Sequence, residues 1–230
     1  MIILVDKREK EWHHIRRYFD EIGQTYERKF LDFGDYSFSI DGKSFETDFV
    51  IETKRGRKKY GGGFGELENN LFNNKRPSKT GHSPKENFNI EFNKALNAGS
   101  EFVLLIENAE SVKTILNMPN PVNQLRYRPS KLYYNSFLEF MERQNAKRTA
   151  KGLNKIQLVF SDNLNTGKLI IELCENYLKR MIIMKQTAEE ILREYVDFKD
   201  VNGSETVEML PLTIIDAMEE YAEQQVMHFY

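Results

Sequence analysis

Short apolar blocks and amphipathic stretches take turns along most of this chain. Ile2-Ile3-Leu4-Val5 is a continuous, largely β-branched run closed by Asp6, which predicts a buried strand. Trp12, Ile15, Phe19 and Ile22 then recur at spacings of three and four, one face of a helix that Gly23 ends. Residues 25–33 lead into Gly34-Asp35-Tyr36, followed by alternation through Phe38 and Ile40. Asp41-Gly42 is a hairpin turn signal, and Phe49-Val50-Ile51-Glu52 is a further strand. These pieces are expected to form a meander. Residues 54–65 form a breaker region around Gly61-Gly62-Gly63, with a helical turn or more over 66–73. The two prolines of residues 76–85 predict a flexible loop. A helix is expected over 88–98. Phe102-Val103-Leu104-Leu105-Ile106-Glu107 has the unbroken apolar character of a strand covered on both faces. An aromatic-rich helix over 132–141, a strand over 156–160 and a long helix over 165–183 complete the body. Beyond it, Thr187-Ala188-Glu189-Glu190 and Thr213-Ile214-Ile215-Asp216 look like capping-box starts of two short helices. The alternation predicts an α/β three-layer domain over 1–183 and a helical extension over 184–230.

Composition narrows the class. A chain of 230 residues buries a core without staples. The single Cys174 excludes a disulfide framework and a cysteine-based zinc site. No apolar run approaches the roughly 20 residues of a membrane helix, and the first residues do not read as a signal peptide. A soluble, cytoplasmic protein with no membrane partner is expected. The formal net charge of −2 at first argues against a nucleic-acid partner. Its distribution does not: residues 55–85 hold eight basic side chains against two acidic ones, and residues 186–230 hold two basic against eleven acidic. A basic, glycine-interrupted stretch can track a phosphate backbone, with Arg55, Arg57, Lys58 and Lys59 as the contacts. The alternative is a solvated loop.

One cluster can do chemistry. Asp35 follows a glycine at a turn, and Glu52-Thr53-Lys54 ends a strand. Residues two apart on a strand share a face, so Glu52 and Lys54 project together. A neighbouring strand can bring Asp35 beside them. Two close carboxylates suit a hard divalent cation such as magnesium, and the Thr53 carbonyl can add a ligand. Lys54 can then orient a water or stabilise developing negative charge. Asp6, at the end of the first strand, can reach the same edge. The competing interpretation is a strand-end ion pair. His13 and His14 point about 100° apart on a helix, which argues for surface positions and not a shared ion. Tyr133, Tyr134, Phe137 and Phe140 can stack on bases, but their helical spacing favours core or subunit contact.

Several motifs together resemble one family. Leu4-Val5-Asp6-Lys7-Arg8-Glu9 is similar to the V-D-x-R-E opening of XPF-type structure-specific endonuclease domains. Phe33-Gly34-Asp35-Tyr36 resembles their G-D-Y, and Val50-Ile51-Glu52-Thr53-Lys54 sits where they have V-E-R-K. Leu104-Leu105-Ile106-Glu107 and Val159-Phe160-Ser161 resemble later strands of the domain, in the same order over residues 1–183. The resemblance implies a restriction-endonuclease-like fold with a central mixed sheet, and magnesium- or manganese-dependent cleavage of DNA, typically branched. It implies Asp35 and Glu52 as metal ligands, Lys54 as the catalytic lysine, and Asp6, Arg8 and Glu9 as support. It also implies pairing through the nuclease domain, with the aromatic helix as a homodimer contact. The chain departs from the pattern at Thr53, where the family has arginine, and at Lys58, where it has aspartate. Glu66 is the candidate replacement for that aspartate. No helix-hairpin-helix module is evident in residues 186–230.

The sequence therefore reads as a metal-dependent DNA endonuclease of repair or recombination. A non-catalytic DNA-binding or scaffold subunit, and a resolvase or restriction-type nuclease, are the alternatives.

Overall fold

The computed structural model describes residues 1–10, 12–57, 62–73, 81–118 and 130–201, with side chains of the last segment described to 188. Its elements run β1 (Ile2–Asp6), α1 (His13–Ile22), β2 (Tyr26–Lys29), β3 (Tyr36–Ile40), β4 (Lys43–Ser44), β5 (Phe49–Lys54), α2 (Gly63–Phe72), α3 (Pro84–Ala98), β6 (Glu101–Glu107), a 3₁₀ helix (Val112–Asn117), α4 (Ser130–Thr149), β7 (Gln157–Ser161) and α5 (Thr166–Val201). The chain divides into two units, Met1–Cys174 and Glu175–Tyr230.

The first unit is an α/β fold on a seven-stranded mixed sheet, ordered β2-β1-β3-β5-β6-β7 with β4 paired to β3. β1 pairs antiparallel with β3, and β3 antiparallel with β5. β5, β6 and β7 run parallel. The predicted meander is thus only partly present. Its first segment, β2, turns back to lie parallel to β1 at the sheet edge, because α1 intervenes as a crossover. The Asp41-Gly42 hairpin forms as the sequence signals, with both residues at positive φ.

β5 and β6 are buried along almost their whole length, as strands covered on both faces must be. On one face Val50, Phe102, Leu104 and Ile106 pack with Phe64, Leu67 and Leu71 of α2, Phe88 and Phe92 of α3, and Tyr133, Phe137 and Phe140 of α4. Alternation puts Glu52 and Lys54 on this same face, where β5 runs out of apolar side chains. Thr53 points to the opposite face. Tyr133, Phe137 and Phe140 are therefore interior residues, which removes them as base-stacking or homodimer contacts. Cys174 is buried, as its helical stripe predicts.

Helix starts differ from the expected ones at Pro84 and at Thr187. α3 starts at Pro84, inside the expected loop, because Ser83 and Glu86 form a capping box and proline suits the first helical turn. Thr187 does not open a new helix. Its hydroxyl donates to the Ile183 carbonyl 3.0 Å away, within an α5 that continues to Val201. A hydroxyl satisfied by the preceding turn gives no N-terminal cap. The second expected tail helix, at Thr213, lies outside the described residues.

The glycine-rich stretch has a steric purpose at its end. A Cβ at Gly63 would sit 2.0 Å from the Lys54 carbonyl oxygen, so only glycine lets α2 start against the end of β5. Gly63→Ala is expected to lower stability by about 1–3 kcal/mol through forced displacement of that backbone. Urea unfolding checks this, and an unchanged midpoint would contradict the packing described.

Candidate active site

The site forms where the β3–β5 ladder stops. These strands share one register pair, Tyr36 with Ile51. Just before it, the Asp35 N–H donates to the Ile51 carbonyl at 2.9 Å, and the Asp35 carbonyl accepts from the Asp6 N–H at 2.8 Å. Asp35 is thereby fixed between β1 and β5. Gly34 makes this possible: its φ is +72°, and an added Cβ would meet the Val50 Cβ at 3.0 Å. The Asp35 side chain then closes the open edge of β5. Its Oδ2 accepts from the Thr53 N–H at 2.8 Å and from the Thr53 hydroxyl at 2.6 Å. Its Oδ1 receives no donor among the described residues.

Glu52 and Lys54 lie together, each side chain about 5% exposed, with Nζ donating to Glu52 Oε1 at 2.5 Å. The ammonium also sits 5.0 Å from the centre of the Phe88 ring. Glu66, in the first turn of α2, completes this side: Oε2 accepts from the Arg55 N–H at 2.8 Å, and Oε1 is 3.6 Å from Lys54 Nζ. Glu66 thus stands beside the lysine despite the intervening glycine-rich stretch.

Charge at the site is unbalanced. Burial first, and the Asp35 charge second, raise the Glu52 pKa well above the carboxylate range, more than Lys54 lowers it. Burial pulls Lys54 down, but Glu52, Glu66 and Asp35 outweigh it, so the lysine is held above its ordinary value and stays an ammonium. A buried ion pair is a poor way to gain stability, since desolvation offsets most of the attraction. The pair is therefore better explained by a role than by stability alone.

Among the described residues no group of three or more His, Cys, Asp or Glu side chains is placed to hold a metal. The available set is the two carboxylates of Asp35 and Glu52, with the Thr53 carbonyl on the same open edge. That set fits magnesium, which keeps several waters and takes only one or two carboxylates.

The other predicted residues fall elsewhere. Asp6 has both carboxylate oxygens occupied. Its Oδ1 accepts from the Arg8 N–H and Nε, and its Oδ2 from Arg8 Nη2 and the Leu31 N–H. Burial would raise its pKa, and these donors from Arg8 and Leu31 outweigh that and lower it. Asp6 and Arg8 therefore hold the loop that leads to Asp35, and Arg8 also reaches the Leu31 carbonyl at 2.6 Å. Arg55 is not a surface cation awaiting phosphate. Its side chain is 9% exposed, paired to Glu9 at 2.5 Å and Glu107 at 3.4 Å, and it donates to the Tyr36 and Thr53 hydroxyls. Glu9 is its counter-charge. Arg57 is exposed. Lys58 and Lys59 lie outside the described residues.

Two residues escaped the sequence reading. His14 is no free surface histidine: its Nε2 is 2.9 Å from Oε1 of buried Glu107. Glu91 of α3 is half-buried and feels Lys54, Asp35, Arg8 and Asp6. Burial, and Asp35 after the opposing Lys54 attraction, raise its pKa. The available signal was helical spacing. Glu91 lies one turn from Phe88, which packs on the Lys54 ammonium, and one turn from Lys94, which bonds the Asp32 carbonyl.

Replacing Arg55 by alanine removes the buried guanidinium that Glu9 and Glu107 share and is expected to cost about 3 kcal/mol of stability. Calorimetric melting checks it. A stable variant with only weaker DNA binding would return Arg55 to the surface. Asp6 gives a pH test. Its folded pKa lies below the unfolded one, so its contribution is full above about pH 4 and fades as pH falls through the folded value. Asp6→Asn should therefore cost about 1–2 kcal/mol at pH 7 and less at pH 3, by urea unfolding at each pH. An equal gap at both would refute the account of Asp6.

No family model and no curated protein matches this chain. Among solved structures it is similar to XPF from Aeropyrum pernix, at 14% identity and a TM-score of 0.45, over 77% of this chain. The match spans 61% of that structure's chain, so this protein aligns with about three-fifths of it.

Proposed function

We propose that this protein is a magnesium- or manganese-dependent endonuclease acting on DNA phosphodiester bonds, with branched DNA in repair or recombination as the substrate class. One observation carries the proposal. Asp35, in the bend that enters β3, is bonded through Oδ2 to the N–H and hydroxyl of Thr53, the residue between Glu52 and Lys54, where the β3–β5 ladder has stopped. The ordered resemblance of five sequence motifs to XPF-type nuclease domains supports the choice of DNA.

Asp35 and Glu52 would hold the cation through their carboxylates. When bound, it supplies Lewis acidity and charge neutralisation at the phosphate. Against the effect of burial, Glu52, Glu66 and Asp35 hold the Lys54 pKa above its ordinary value, which favours the ammonium. Its ammonium donates, orienting the attacking water or stabilising charge that develops on the phosphoryl oxygens. Glu66 keeps the ammonium in place from the far side. Arg57 is the exposed cation next to this edge and contributes to phosphate positioning.

The test is cleavage of labelled flap, fork, junction and linear DNA, with and without magnesium, by wild type and Lys54→Ala. The expected result is metal-dependent cleavage that falls by about 10²-fold or more in the variant. Absence of metal-dependent cleavage of every substrate would overturn the enzyme reading, and DNA binding alone would favour the scaffold alternative. Equal activity in Lys54→Ala would overturn the site assignment.

A further inference from the structure

Behind the candidate metal site, on the opposite face of β5, lies a second polar cluster that the chemistry above does not use. Arg55 is its centre. Nη1 pairs with Glu9 at 2.5 Å, Nε lies 3.4 Å from Glu107 Oε1, and Nη2 donates to the Tyr36 and Thr53 hydroxyl oxygens, each at 2.8 Å. His14 reaches the same Glu107 oxygen at 2.9 Å. The guanidinium is thus held from β1's following loop, from β3 and from β6 at once.

The proton count on Thr53 is decided by this cluster. A guanidinium only donates, so the Thr53 hydroxyl oxygen accepts from Arg55. The hydroxyl has a single proton, and its other partner is Asp35 Oδ2, 2.6 Å away. That proton therefore goes to Asp35. With the Thr53 N–H on the same oxygen, Oδ2 is doubly occupied and Oδ1 is left for another partner.

We propose that Arg55, acting through the Thr53 hydroxyl, is a positioning residue for Asp35, fixing Oδ2 inward so that Oδ1 meets the cation. The inference rests on the metal-site reading given above and adds to it a supporting layer whose residues never touch substrate. Outer-layer donors of this type change metal affinity by about 10–100-fold when removed. The relay differs from mere packing. A side chain of the same shape without the hydroxyl keeps the fold and removes one of the two donors that hold Asp35 Oδ2.

Thr53→Val and Thr53→Ser separate these roles, measured by calorimetric titration of the full chain with magnesium and with manganese, and by urea unfolding without metal. Thr53→Val is expected to bind both ions about tenfold or more weaker, while Thr53→Ser, which keeps the hydroxyl, binds like wild type. Should Thr53→Val fail to fold, Thr53→Ala replaces it with the same expectation. Valine or alanine at this position with wild-type ion affinity would overturn the positioning proposal and leave the metal site standing. A serine variant as weak as the valine one would also overturn it, by assigning the loss to packing. Wild type that binds neither ion would overturn the metal-site reading itself, and the positioning role with it.

Discussion

Asp35 joins two strands at the point where their ladder ends. Its backbone links β1 to β5, and its side chain caps the Thr53 N–H that β3 leaves unpaired. An unpaired buried N–H costs about 1–3 kcal/mol, so the capping bond has a structural reason independent of any chemistry. The same bond sets the functional geometry. It brings the carboxylate that precedes β3 to the strand that carries Glu52 and Lys54, and among the described residues it leaves one oxygen of that carboxylate without a donor. Gly34 upstream permits the approach, and the Asp6–Arg8 clasp anchors the loop that delivers it.

The two faces of β5 divide the work. Glu52 and Lys54 point towards α2 and α3, where Glu66, Glu91 and the Phe88 ring surround the ammonium. Thr53 and Arg55 point the other way, into a network with Glu9, Glu107 and Tyr36. One face gathers carboxyl groups around a lysine, and the other pairs its acids with a buried arginine. Period-two alternation of a strand is enough to keep a reactive set and a supporting set a single residue apart.

Much of this was legible in the chain, for identifiable reasons. The apolar runs of β1 and β6, the αL glycine after α1 and the Asp41-Gly42 turn are local signals, and local signals survive into the fold. The D…ExK spacing placed Glu52 and Lys54 on one face because strand geometry allows nothing else. What failed depended on distant partners. Arg55 looked like the start of a basic loop, yet Glu9 and Glu107 come from two other strand ends to bury it. Ser83 and Glu86 were readable as a capping box, but two prolines and a run of polar residues outweighed them. Thr187 looked like a cap because a capping motif in sequence is indistinguishable from a hydroxyl bonded back within a continuous helix.

The central claim is that Asp35 and Glu52 share one divalent cation at the open edge of β5. Its most direct test is anomalous diffraction from crystals grown with manganese. The account predicts a single strong peak between Asp35 Oδ1 and the Glu52 carboxylate, with Asp35 Oδ2 still bonded to Thr53. No peak there, or an ion bound with Asp35 turned away from Thr53, would contradict it.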